Sequence, residues 1–140
     1  MNPRQASLEY LAAEIEKADP LRRVVLLHEG AARFTREAIA NVERRDYPSA
    51  HHAFLKAKRI VAHLLASIPE DDDSDLAANL RGLFRFAYLK LAEANLRKDT
   101  EPANHALKII RDLAEGWGGL EQKLRNEKST PENDHLDDVA

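Results

Sequence analysis

Histidines are the side chains of this sequence that could support acid–base or phosphoryl-transfer chemistry, because the chain has no cysteine and no glycine-rich phosphate loop. His51 and His52 are adjacent near the expected start of a helix, and an exposed histidine on a small helical bundle can accept a phosphoryl group. The Lys56-Ala57 pair that follows does not match the lysine and glycine spacing of phosphotransfer domains. We therefore interpret both histidines as surface residues of a first helical turn, and keep phosphotransfer through His52 or His51 as the alternative function.

Metal chemistry has little support in the sequence. Carboxylate-bridged metal centres in helical bundles need a Glu-x-x-His pair on each of two helices. One such pair exists, Glu132 and His135, and it falls in a C-terminal segment that we expect to be disordered. His28 lies among apolar residues, where a hydrogen-bonded, partly buried histidine is more common than a ligand or general base. We predict no catalytic residue, no metal and no cofactor.

The elements that must position these residues are four long amphipathic segments, in which apolar residues recur at helical spacing. The first is expected from Pro20 to about Arg45, and a break is expected at Asp46-Tyr47-Pro48-Ser49. The second helix follows this break and ends before Pro69. An acidic loop at 70–74 can cap the third, and the turn from Asp99 to Pro102 starts the fourth. Because short connections make successive helices antiparallel neighbours, we predict an all-α fold, an antiparallel four-helix bundle with an additional short N-terminal helix or cap segment.

The predicted bundle, residues 20–127, is flanked by two weaker segments. Residues 1–19 have apolar residues at helical spacing but are short, so we expect a cap segment that is marginal unless it docks on the bundle. Residues 128–140 are acidic and carry too little apolar surface to offset the entropy of ordering. We predict a disordered acidic tail there.

The charge and composition of the chain disfavour two classes of partner. Its formal net charge is −3 and it has no lysine- or arginine-rich run, so we predict no nucleic-acid binding. No apolar segment is long enough for a membrane span, and the N-terminus lacks the apolar core of a signal peptide. The absence of cysteine suits a reducing compartment, and we predict a cytoplasmic protein with no membrane insertion.

The first and third predicted helices carry more apolar residues than one core-facing stripe requires. Leu27 and Phe34 lie in a second row on the first helix, and Phe86 and Leu89 lie off the main stripe of the third. Apolar grooves on bundles are commonly filled by a partner's amphipathic helix. The N-terminal residues or a second copy of the chain could cover the same surface. A central helix can also bury more than one face, so these four residues could belong to the core and not to a groove for a partner.

The order of residues resembles the FliS family of flagellin export chaperones, from about Tyr10 to Trp117. An N-terminal block follows the family's tyrosine, valine, alanine, proline and glycine pattern, although His28 replaces the usual tyrosine before the glycine. The most specific block resembles the family's NL-x-x-L-[YF]-x-[YF] stretch, which runs into EAN-x-x-x-D. The residues that carry the likeness are Tyr10, Ile15, Ala18, Pro20, Gly30, the run Ala57-Lys58-Arg59-Ile60-Val61, Asn79-Leu80, Leu83-Phe84, Phe86, Leu91, Glu93-Ala94-Asn95, Lys98-Asp99, Leu113 and Trp117.

This resemblance implies a cytoplasmic export chaperone and not an enzyme. Such a protein binds the disordered C-terminal segment of flagellin, prevents its premature polymerisation and aids its delivery to the flagellar type III export apparatus. Components of the export gate and a second copy of the chain, forming a homodimer when free, are further expected partners. We hypothesise that the four apolar residues outside the main stripes line grooves for flagellin. Tyr10 and Ile15 would belong to an N-terminal segment that covers a groove when flagellin is absent.

Overall fold

The computed structural model describes the backbone of residues 19–139 and the side chains of residues 19–128. Four helices make up this part of the chain, and it contains no strand. They are α1 (Pro20–Glu43), α2 (Tyr47–Ala66), α3 (Asp75–Arg97) and α4 (Thr100–Val139). The predicted cap segment lies outside the described residues except for Asp19.

Short polar side chains fix where the helices begin. The Asp19 carboxylate accepts a hydrogen bond from the backbone N–H of Arg22 at 2.8 Å, and Ser74 Oγ accepts one from the N–H of Ala77 at 3.1 Å. The Asp99 carboxylate accepts one from the N–H of Glu101 at 3.0 Å. These bonds satisfy backbone donors that have no partner within the helix. The predicted capping turns are therefore confirmed at three helix starts.

One helix start differs from the prediction. Helix α2 already begins at Tyr47, within the segment expected to be a break, because Pro48 is tolerated in a first turn. Helix α4 extends to Val139. The disorder expected of residues 128–140 stays a prediction.

The four helices form a ring in which each helix packs against two others. Helix α1 contacts α2 and α4, and α3 contacts the same two helices on the other side. Alanines occupy much of the interior, and they let the helices approach closely around a few large buried side chains. The buried alanines are Ala31, Ala32, Ala38, Ala50, Ala53, Ala57, Ala77, Ala87, Ala94, Ala103 and Ala106, and the large residues include Phe34, Phe54 and Leu91. The predicted all-α four-helix bundle is confirmed.

Helix composition also bears on membranes. Within residues 19–139, no helix combines the length and the apolar composition that a bilayer crossing requires.

Candidate partner-binding surface

Helix α3 presents large apolar side chains on the face that points away from the core. Phe86 is 44% exposed, Leu89 is 59% exposed and Leu96 is 87% exposed. Spacings of three and seven residues place these three side chains along one side of the helix. The opposite face of α3 is buried, with Phe84 and Leu91 in the core. We call Phe86, Leu89 and Leu96 the outer row.

Charged residues of the same helix flank the outer row. Glu93 pairs with Lys90 at 3.2 Å and with Arg97 at 3.5 Å. The ammonium of Lys90 also lies 5.5 Å from the centroid of the Phe86 ring, which is within the range of a cation–π contact. These ion pairs are partly exposed, so each adds little to stability. Their arrangement gives an apolar centre with a polar rim, as is common at protein–protein interfaces.

A shallow groove between α2 and α3 adjoins this face. It has a volume of ≈ 510 Å³. Leu65 and Ile68 contribute apolar surface from α2 and the turn after it, and Tyr88 contributes a ring from α3. Arg81 and Arg85 line it as well. The ammonium of Lys58 lies 5.3 Å from the Tyr88 ring centroid, so a cation from α2 lies against this aromatic side chain.

The structure places the predicted site residues in different environments. Phe86 and Leu89 are exposed, as a partner-binding residue must be. Leu27 is partly buried and packs against the core. Tyr10 and Ile15 lie outside the described residues, and their role stays a prediction.

The structure corrects the predicted position of Phe34 in a groove. It is 0% exposed, so it lies in the core of this structure and cannot contact a partner. The Arg33 guanidinium and the Lys56 ammonium lie 5.0 and 5.3 Å from its ring centroid. Ala31 and Ala38 of the same row are also buried, so the second apolar row of α1 lies largely in the core, which is the alternative that the sequence left open.

Leu96 was missing from the predicted site, although it is the most exposed large apolar residue described. It follows Leu89 by seven residues, which is two helical turns, so the same row could have been extended to include it. Leu76 at the start of α3 is also well exposed. Leu96 also lies off the main apolar stripe of this helix, as Phe86 and Leu89 do, so the signal that selects those two residues extends to it.

His28 is a buried, hydrogen-bonded residue, as the sequence indicated. It is 1% exposed, and its Nδ1 lies 2.8 Å from the carbonyl oxygen of Val24. Its ring centroid is 5.6 Å from that of Phe84 and 6.3 Å from that of Trp117. Burial lowers the pKa of His28 below the ordinary value of 6.5, against the smaller opposing effect of the bond to Val24. Burial therefore favours the neutral form of the imidazole.

The other histidines and acidic groups form no site of their own in the described part of the chain. His51 and His52 are exposed in the first turns of α2, as predicted, and their ring centroids are 5.9 Å apart. His51 Nδ1 lies 3.0 Å from the Asn95 side-chain amide, which links α2 to α3. No three acidic or histidine side chains described here are placed to hold a metal ion. Glu132 and His135 lie outside the residues whose side chains are described.

Comparisons of the sequence with known proteins point to one family. The family model described as "Flagellar protein FliS" matches residues 2–124. The flagellar secretion chaperone FliSB of Pseudomonas aeruginosa is 28% identical over 83% of this chain and 90% of its own length. The FliS of Salmonella typhimurium is 25% identical over 89% of this chain and 91% of its own length.

A solved structure has a similar fold. It is described as "Crystal structure of flagellar chaperone from bacteria", with a TM-score of 0.68 and 17% sequence identity. The alignment covers 87% of this chain and 99% of that chain. Because the family match spans most of the sequence and the four-helix architecture agrees with it, this chain belongs to the flagellar protein FliS family.

Proposed function

We propose that this protein is a cytoplasmic chaperone for flagellin, which binds the disordered C-terminal segment of flagellin before export. Membership of the FliS family and relatives named flagellar secretion chaperones support a flagellar protein as the partner. The single observation that supports this binding site is the outer row, in which three large apolar side chains are exposed along one side of a folded helix. A contiguous exposed apolar surface of this kind is a recognised mark of a protein-binding site.

The outer row suits a client that is disordered until it binds. An amphipathic segment of flagellin would fold into a helix with its apolar side on Phe86, Leu89 and Leu96. Full burial of one leucine or phenylalanine side chain is worth about 1.5–3 kcal/mol. Part of that gain is lost to the ordering of the segment and to association. Several such contacts are therefore needed for stable binding.

Binding of this kind explains how a chaperone prevents premature polymerisation. The apolar face that flagellin segments would use to pair with each other is covered by the outer row. Charges beside the row, from Lys90, Glu93 and Arg97, would favour a complementary polar face on the client and influence the rate of encounter. Release at the export apparatus then requires only that the segment unfolds from a surface, with no covalent step.

The direct test is calorimetric titration of the protein with a purified C-terminal segment of flagellin. The wild-type protein should form a soluble one-to-one complex. A Phe86→Asp/Leu89→Asp variant should lose binding while its helicity by circular dichroism stays unchanged, because both side chains are exposed. Leu120→Asp is a matched control, because Leu120 is an exposed leucine of α4 outside the outer row. Wild-type affinity in the double variant would overturn the assignment.

Two further proposals concern what covers a flagellin-binding groove when flagellin is absent. The N-terminal segment that contains Tyr10 and Ile15 is one cover, and a second copy of the chain is the other. Sedimentation analysis of the wild-type protein over a range of concentrations distinguishes them. A mass that rises with concentration supports the homodimer, whereas a constant monomer mass leaves the N-terminal cover as the remaining proposal.

A further inference from the structure

Three glycines lie in a short stretch of α4 where the fold does not require them. Gly116, Gly118 and Gly119 are helical, and a Cβ atom added at any of them would have no neighbour from another part of the described fold within 4 Å. Relative to alanine, one glycine in a helix interior lowers the helix–coil equilibrium by about four- to five-fold. Residues 116–119 therefore weaken α4, and no close packing among the described residues accounts for them.

The burial of α4 also ends before this stretch. The apolar residues that α4 contributes to the core are Ala103, Ala106, Leu107 and Ile110. Between residues 111 and 128, no side chain of α4 is buried. Beyond the glycines, Leu120 and Leu124 are 40% and 41% exposed. We call residues 120–128 the arm, and its low burial is typical of segments that open locally while the rest of a protein stays folded.

An ion pair joins the arm to the start of α1. Glu121 Oε1 lies 3.1 Å from Arg22 Nη1, and the Arg22 side chain is 40% exposed. A partly exposed pair of this kind adds little to stability. Leu21 of α1 and Leu124 of the arm line a groove of ≈ 490 Å³, so the apolar packing between the two segments is incomplete. The arm is therefore weakly attached to α1.

Trp117 lies inside the glycine stretch, between Gly116 and Gly118. Its side chain is partly buried, and its ring centroid is 6.3 Å from that of His28 on α1. This aromatic contact holds α4 against α1 at the point where the helix propensity falls. Helix α4 is thus anchored as far as the glycine stretch and weakly attached beyond it.

We propose that residues 116–119 form a hinge, at which α4 unwinds locally so that the arm detaches from α1 as a unit. Residues 100–115 stay in the bundle, because their buried side chains hold them there. Opening breaks the pair between Arg22 and Glu121 and exposes Leu21, which the arm partly covers. The glycines lower the cost of unwinding, and the absence of buried side chains in the arm lowers the cost of detachment. The inference does not depend on the identity of the client.

Hydrogen exchange of the backbone amides, measured by NMR on the full-length protein, distinguishes a hinge from fraying at the end of the helix. A hinge predicts one common protection factor for the amides of the arm, with a step across residues 116–119. Fraying predicts protection that declines gradually toward the C-terminus. A gradual decline, or protection in the arm equal to that of residues 103–110, overturns the proposal.

Alanine replacements test the role of the glycines. In a Gly116→Ala/Gly118→Ala/Gly119→Ala variant, exchange in the arm should slow by about 50- to 100-fold, which is the combined factor for three residues. Gly82→Ala is the matched control, because Gly82 is a glycine of α3 whose Cβ would also meet nothing within 4 Å. It should leave exchange in the arm unchanged, since opening of the arm does not unwind α3. Arm exchange that is the same in the triple variant and the wild-type protein, or that slows equally in Gly82→Ala, overturns the proposal.

Discussion

Phe34 on α1 and Phe86 on α3 are identical side chains in opposite environments. Phe34 is completely buried, whereas nearly half of Phe86 is exposed to solvent. Each lies on a helix that packs against α2 and α4. The difference arises because α1 buries two neighbouring rows of residues, while α3 buries one row and leaves its outer face uncovered by the described residues. Apolar residues outside a main stripe therefore serve the core on one helix and are available to a partner on the other.

The largest expected effect comes from truncation of the buried member of the pair. Phe34→Ala should lower the free energy of unfolding by about 3–5 kcal/mol, because it removes a ring from a closely packed core and leaves a cavity. Phe86→Ala should change it by only about 0.5 kcal/mol, as is usual at exposed positions. Urea unfolding followed by circular dichroism measures both values. If the two substitutions lower the free energy of unfolding equally, α1 and α3 do not differ in whether their extra apolar residues support the core.

Two leucines of α3 sharpen the comparison within a single helix. Leu91 is buried and Leu96 belongs to the outer row. Leu91→Ala should cost about 2–5 kcal/mol of stability, whereas Leu96→Ala should leave stability nearly unchanged and weaken flagellin binding by about 1–3 kcal/mol. Unfolding curves and calorimetric titration of both variants separate the two outcomes. If Leu96→Ala lowers the free energy of unfolding and retains the affinity for flagellin, Leu96 makes a contact that stabilises the fold and does not bind flagellin.

Lowering the pH should destabilise the folded protein through the buried residue His28. Its pKa in the folded state is lowered by burial from the ordinary value of 6.5, so in the window below 6.5 the unfolded chain binds more protons than the folded chain. Stability therefore falls as the pH drops through this window, with a slope of at most about 1.4 kcal/mol per pH unit for one proton. His28→Phe should flatten the slope measured by urea unfolding at several pH values. His63→Gln, at an exposed position, should retain it.

The smallest effect is expected at the charged rim of the outer row. Glu93→Gln removes the pairs with Lys90 and Arg97, and it should reduce stability by about 0.3–0.5 kcal/mol, as is typical of exposed helix pairs. Its clearer consequence should be a changed association rate with flagellin and a weaker dependence of that rate on salt. Stopped-flow measurements at two salt concentrations test this. A large loss of stability would show that Glu93 supports the fold.

Local chemistry explains which features could be predicted. The cap at Asp19 and the turn at Asp99 act within a few residues of the chain, so the sequence identifies them directly. Apolar periodicity predicts that α1 and α3 have extra apolar rows, but it does not specify which neighbouring helix covers them. Phe34 was misassigned for this reason. The packing of His28 against Phe84 and Trp117 brings together residues of three helices, and no spacing in the sequence predicts it.

The outer row also sets a length scale for its occupant. Ten residues separate Phe86 from Leu96, and a helix rises about 1.5 Å per residue, so the row is about 15 Å long. A client helix that lies along it needs about three turns, which is too short to be stable by itself in water. The shortest flagellin peptide that retains binding should therefore be about ten to twelve residues, and it should be helical only when bound.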